Sequence, residues 1–244
     1  IGKSTILISI MHANNEIGTI QPIKEISHII SNFRKKTGSP YPYFHTDACQ
    51  TAGALNIRPH DLGVDLLTVN GSKIYGPKGI GCLFIRRGVK IKSIIYGGLQ
   101  EKGLRAGTEN ISGIIGLAKA LEIADLEREK NYKKEAELRD YAIKEILEKI
   151  PDSRLNVHSY KRLPNNINIS FENIDGEMLM LMLDQLGIQV STGSACTSTL
   201  TVPSHVIEAL RRFDYAHRKQ IRGEQLKNPN GWGNVRITLG RQTK

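Results

Sequence analysis

Four stretches of this sequence place chemistry-bearing side chains where a fold could use them. His12-Ala13-Asn14-Asn15-Glu16 comes just past the apolar run STILISI (4–10), and Asp47-Ala48-Cys49-Gln50 follows YPYFHT (41–46). Asn70-Gly71-Ser72-Lys73 closes VDLLTVN (64–70) and leads into the turn Tyr75-Gly76-Pro77-Lys78-Gly79. Taken singly, an Asp after a strand caps a turn and a Lys is solvated. Together, an amide, a carboxylate with an amide, and a lysine match what pyridoxal phosphate requires. That cofactor needs a lysine for its Schiff base and an acid for its pyridine nitrogen, and the amides can serve its ring oxygen. The fourth stretch, STGSACTST (191–199), sets Cys196 among small polar residues with nothing to pack around it. Such a loop has few buried contacts and opens at low cost. A free thiol is only a few per cent thiolate at neutral pH, so a reactive cysteine there needs activation by its site.

The elements that must position these residues are legible from pattern. STILISI, YPYFHT, VDLLTVN and GCLFIRR (81–87) are short, often β-branched runs. Helical or loop segments separate most of them, such as the amphipathic stretch Ile23–Lys36. Near-continuous apolar strands alternating with helices predict an α/β fold with a mostly parallel sheet covered on both faces. Ligands bind such sheets at the carboxyl ends of the strands, where the polar triplets stand. A long helix is expected from about Ile114 to Ile150, ended by Pro151. Beyond it NINISF, a Met/Leu-rich helix at 177–186 expected to pack in a core, and the 191–199 loop predict a smaller α+β unit. Domain boundaries are therefore drawn at 1–126 for part of a large domain and 127–244 for a small C-terminal domain with a mobile cysteine loop. Cys49 and Cys82 adjoin strand-like runs and are expected to be buried.

Composition excludes several classes. Three cysteines without CxxC spacing argue against a disulfide framework and against a metal site, and fit a reducing cytoplasm. The longest apolar stretches, such as ILISIM (6–11), are too short to span a bilayer. The net charge of +10 is mostly interleaved with acids, as in 119–149, which is expected to be a solvated face. Only Arg211–Arg222 forms a basic cluster, without the interleaved aromatics of a nucleic-acid surface. GPKGIG (76–81) has the wrong glycine order for a dinucleotide and precedes a strand, and no P-loop motif is present.

MHANNEIG, HTDACQTAG, NGSKIYGPKGIG, GGLQEKGLRAGTEN, STGSACTS and VRITLGR follow one another over essentially the whole chain. In that order they resemble the cysteine desulfurases of the NifS/IscS group, in the class-V aminotransferases. The resemblance implies PLP fold type I, like aspartate aminotransferase, with a large domain and a smaller C-terminal one. It implies a homodimer converting L-cysteine to L-alanine and leaving a persulfide for a sulfur-acceptor protein, an iron–sulfur scaffold or a tRNA-thiolation enzyme. By position, Lys73 resembles the Schiff-base lysine, Asp47 the pyridinium partner, and Asn15 and Gln50 the ring contacts. Asn70 and Ser72 resemble phosphate contacts, and Thr108 the residue reaching the neighbouring subunit's phosphate. Arg236 resembles the arginine holding the substrate carboxylate, with Asn15 beside the substrate, and Cys196 resembles the sulfur acceptor. Ser72 stands where the family usually has His, and the stretch between Leu210 and Arg236 is longer than usual. The chain is expected to lack the family's first third and last helices. Two alternatives stay open: a selenocysteine lyase or other β-eliminating lyase, and a non-catalytic fragment docking sulfur-transfer proteins.

Overall fold

Strand β1 (Leu7–Met11) opens the first sheet and pairs in parallel with β2 (Tyr43–Asp47), which pairs in parallel with β3 (Leu66–Asn70). The antiparallel β4 (Gly81–Ile85) closes the order β1-β2-β3-β4. The computed structural model describes residues 1–156, 158, 160–193, 204–210 and 232–244. Within these, the mostly parallel α/β architecture is as expected from the alternation. Strands β1 and β2 begin a few residues later than the apolar runs suggest; at β2, Pro42 has no N–H to give the ladder.

One face of this sheet is apolar. Phe44, Leu67 and Val69 are buried there with Ile23 and Ile30 of α1 (Ile23–Thr37) and with Val64. Helix α1 starts directly after Pro22, buries Ile23, Ser27 and Ile30 on one side, and stops at Gly38, whose φ of 67° is the left-handed cap. The short α2 (Pro59–Leu62) sits between β2 and β3. Asp65, at the entry to β3, ties these pieces: it accepts from Phe44 N–H at 2.8 Å and pairs with Arg34 and with Arg86 Nε at 3.5 Å.

Helix α3 (Ile111–Lys149) begins by covering the turn after β3. Leu117 and Ala120 join the core, and a Cβ on Gly116 would meet Pro77 Cγ at 2.5 Å, so only glycine permits the approach. Its later part is not wholly solvated as the mixed charges suggested. Glu135 and Arg139 are buried, and Arg139 Nη1 donates to Leu163 O at 2.9 Å.

The second sheet is antiparallel, ordered β5 (Ser153–Leu155), β6 (Asn166–Glu172), β7 (Trp232–Thr238). In β6, Ile167 and Ile169 point to one face with Val235 of β7, while Asn166, Asn168 and Ser170 point to the other and are also buried. Helix α4 (Gly176–Gln185) begins at Asp175, whose Oδ1 accepts from Met178 N. Its start lies against β7 so closely that a Cβ on Gly233 would meet Gly176 N at 2.5 Å. The expectation that this Met/Leu helix is core is corrected: none of its residues is buried, and Met178, Leu181 and Met182 expose 57%, 56% and 54% of their surface. Cys82 also departs from expectation, being exposed on the edge strand β4, while Cys49 is half-buried.

By packing, the chain divides into Ile1–Ala13 with Gln21–Glu129 and Asn14–Ile20 with Lys130–Lys244. No helix among the described residues is long and apolar enough to cross a membrane.

Candidate active site

The candidate residues fall into two clusters, one in each unit. In the first unit the cluster grows from the ends of β2 and β3. Side chains two apart in a strand share a face, so His45 and Asp47 point the same way, and Thr68 stands opposite Asp47 in the β2–β3 register. Asp47 is the last residue of β2, and its Oδ1 accepts from Cys49 N–H at 2.9 Å, which starts the turn that presents Gln50. Past β3 the chain enters a single tight turn, Gly71–Ile74, carrying Ser72 and Lys73. Asn70 shapes that turn: its Oδ1 accepts from Ser72 N–H at 2.9 Å and from Ser72 Oγ–H at 2.8 Å. Tyr75 closes it at φ 61°, a left-handed position uncommon for a bulky residue.

The electrostatics of Cys49 involve both the acid and the lysine. Its thiol is pushed up to about 12, first by burial, then by hydrogen bonding to Asp47 and by the Asp47 charge; the Lys73 charge pulls the other way. One sulfur therefore feels charges of opposite sign from the two candidate groups. Thr108 lies in the exposed loop before α3, where Gly107 N–H donates to Gln100 Oε1 at 3.2 Å.

Two histidines that the motifs did not single out for a role line this cluster. His45 Nδ1 shares a hydrogen bond with Ser9 Oγ at 2.7 Å and its Nε2 with Thr68 Oγ1 at 2.8 Å, linking three strands beside Asp47. Burial holds His45 below the usual histidine value, and the Asp47 charge partly offsets this. His12 is buried, shares a hydrogen bond with Thr51 Oγ1 at 3.1 Å, and is lowered by burial. The two-residue spacing of His45 to Asp47 in a strand was the available signal.

In the second unit the cluster centres on Arg236. It pairs with Asn168 across β6–β7 and exchanges backbone hydrogen bonds with Ser191, and its Nη1 donates to Asn15 O at 3.2 Å. Asn15 sits in a turn shaped by Asn14, whose Oδ1 accepts from Glu16 N–H and Ile17 N–H at 2.9 and 3.0 Å. The turn is docked on β6, since the Asn166 and Asn168 amides donate to Glu16 O at 3.2 and 3.1 Å. Asn15 and Arg236 are thus brought together in this unit, and Asn70 with Ser72 in the other, where Asp47 and Lys73 stand at the ends of the neighbouring strands β2 and β3. Cys196 and the Arg211–Arg222 cluster lie outside the described residues. No group of three or more metal-ligating side chains is present among the described residues.

Comparison with known proteins gives one consistent family. The family model described as aminotransferase class-V matches residues 1–222. Cysteine desulfurase IscS of Dictyoglomus turgidum is 49% identical over 242 residues, covering 99% of this chain and 56% of that protein. Cysteine desulfurase IscS 1 of Archaeoglobus fulgidus is 45% identical over 241 residues, 99% of this chain and 57% of that protein. A solved structure described as a NifS-like protein superposes with a TM-score of 0.82 at 34% identity, over 100% of this chain and 58% of that one. The chain thus spans a little over half the length of the curated relatives it matches.

Proposed function

Because this chain belongs to the class-V aminotransferase family, we propose that the whole protein is a pyridoxal-phosphate-dependent cysteine desulfurase. The observation that supports the reading is the placement of Asp47 at the carboxyl end of β2 and of Lys73 in the turn that leaves the neighbouring parallel strand β3. The residues fit the cofactor by their chemistry. Lys73 would hold its carbonyl carbon, Asp47 would keep the proton on its pyridine nitrogen, and Asn15 and Gln50 would serve its ring. Ser72, Asn70 and Thr108 would serve the phosphate, Thr108 toward the neighbouring subunit of a homodimer. When bound, pyridoxal phosphate supplies the electron sink that lets bonds at the amino acid's α-carbon break.

The chain's own residues do the rest. Lys73 would accept the substrate's α-proton and return it. The Arg236 guanidinium holds the substrate carboxylate through paired N–H donors, and the Asn15 carbonyl that it already contacts restricts its swing. The Cys196 thiolate takes the substrate sulfur, so that L-cysteine and an enzyme thiol become L-alanine and an enzyme persulfide. The persulfide passes to an iron–sulfur scaffold or a tRNA-thiolation enzyme in the cytoplasm, a setting supported by the cysteine spacing. In this reading residues 1–126 belong to the cofactor-binding large domain and 127–244 to the small one. The names of the relatives favour neither a lyase nor a docking fragment.

The test is borohydride reduction of the whole protein after incubation with pyridoxal phosphate, followed by peptide mapping, alongside an assay for alanine from L-cysteine. Label on Lys73 with alanine released supports the reading. Label on Lys78 or Lys3, or no alanine, contradicts it.

A further inference from the structure

His45 stands one step behind Asp47 on the same face of β2, and both of its ring nitrogens are engaged. Its two partners lie on different strands and at different levels of the sheet. Ser9 is its register neighbour on β1, and Ser9 Oγ meets Nδ1 at 2.7 Å. Thr68 on β3 is the register neighbour of Asp47 instead, and Thr68 Oγ1 meets Nε2 at 2.8 Å. The ring therefore reaches forward along the sheet, and its second bond fixes the hydroxyl that stands beside Asp47. The Thr68 main chain is committed to the same corner, since its carbonyl accepts from Ala48 N–H, directly after Asp47, at 2.9 Å.

Few charges surround the ring. No titratable residue occurs in β1 or β3, and on β2 its neighbours on this face are Tyr43 and Asp47. Burial favours the neutral ring, and among the described residues only the Asp47 charge opposes it. We propose that His45 is a positioning residue for Asp47: by bridging Ser9 and Thr68 it fixes the Thr68 side chain beside the carboxylate and so sets where that carboxylate would meet the pyridine nitrogen of pyridoxal phosphate. The proposal rests on the desulfurase reading and its cofactor. A neutral ring suits this role better than a charged one. A protonated His45 would share the negative charge of Asp47 with the pyridine nitrogen's proton. Proton uptake by His45 and cofactor binding therefore oppose each other, each weakening the other by the same factor.

The test uses the whole protein and reads cofactor binding rather than turnover. With ring-labelled histidine, the His45 resonance is followed by NMR against pH and assigned by its absence in His45→Gln. Its midpoint in the cofactor-free protein is expected below that of a free histidine. It should fall further in Asp47→Asn and when pyridoxal phosphate binds, because each offsets the charge that favours the protonated ring. Equilibrium dialysis at pH 8 then gives the Kd for pyridoxal phosphate. Thr68→Val and His45→Phe should raise it by about tenfold or more, the scale seen when outer partners of metal ligands are lost. Thr68→Ser keeps the hydroxyl and should stay within about threefold of wild type. Ser9→Ala should do the same, because Ser9 is exposed and water can take its place. As pH is lowered through the His45 midpoint, the wild-type Kd should rise about fivefold more than that of His45→Gln. A His45 midpoint unmoved by the cofactor, or Thr68→Val that binds as tightly as Thr68→Ser, overturns the proposal and leaves the desulfurase reading intact. The NMR measurement on wild type decides the matter where His45→Phe does not fold. Wild type that binds no pyridoxal phosphate, or holds it on a lysine other than Lys73, overturns both.

Discussion

The Cys49 thiol reports on the Asp47–Lys73 pair without any cofactor, and its reactivity can be worked out. At pH 8 a thiol with the reference value of 9.0 is about one-tenth thiolate, and one pushed up to about 12 is about one ten-thousandth, a population loss of about a thousandfold. A more basic thiolate is the better nucleophile: with a Brønsted slope of about 0.4–0.5, three units return roughly twentyfold. Cys49 should thus react with a disulfide reagent about fortyfold or more slowly than a free cysteine peptide, and half-burial slows it further. The assay is mass-resolved labelling of the cofactor-free whole protein at pH 8. Asp47→Asn keeps the oxygen that accepts Cys49 N–H but removes the charge, so labelling should rise by about tenfold. Lys73→Ala should lower it. A Cys49 that labels within a few fold of the free peptide, or is unmoved by Asp47→Asn, refutes the placement of acid and lysine around one sulfur.

Other expectations concern the scaffold. Asp65→Ala leaves Arg34, Arg86 and Phe44 N–H without their shared acceptor and should cost about 3–5 kcal/mol in urea unfolding. Arg162 is fully buried with Nε and Nη1 unpartnered among the described residues, and burial followed by the Arg139 charge lowers it to about 10, with Asp140 acting oppositely. Arg162→Met should therefore cost less than about 1 kcal/mol or stabilise. Since the folded value lies below the unfolded one, the wild-type penalty is complete below pH 10 and fades as pH rises from about 10 toward 12.5, so the Met variant's advantage should shrink over that range. Replacing Met178, Leu181 and Met182 by Gln should each change stability by less than about 0.5 kcal/mol, because these side chains are exposed.

The features visible in the sequence were those set by local period and by strand ends. The β-branched runs, the long helix and the polar residues after each strand follow from spacing that any local window contains. What stayed hidden depends on partners far along the chain. Nothing near Glu16 indicates that Ser204 will meet its carboxylate, or that Asn166 and Asn168 will take its carbonyl. The alternation N-I-N-I-S in β6 did signal two faces, but not that the polar one would be buried beneath a turn from residues 14–20. The Met/Leu pattern of α4 points to a core helix by composition alone. Burial needs an opposing surface, and among the described residues β7 lies against this helix without burying any of its side chains. Cys82 fails for the same reason: an edge strand has one neighbour, so an apolar run on it need not be covered.

Sulfur mapping tests the central claim most directly. The whole protein, loaded with pyridoxal phosphate and given L-cysteine, is quenched and digested, and the peptide bearing the additional sulfur is identified by mass spectrometry, in parallel with Cys196→Ala. The account predicts sulfur on the Cys196 peptide in wild type, and in Cys196→Ala no persulfide with L-cysteine binding retained, since Lys73, Asp47 and Arg236 handle the amino acid and the thiol acts only on its sulfur. Sulfur on Cys49, or alanine released at the wild-type rate by Cys196→Ala, would contradict it.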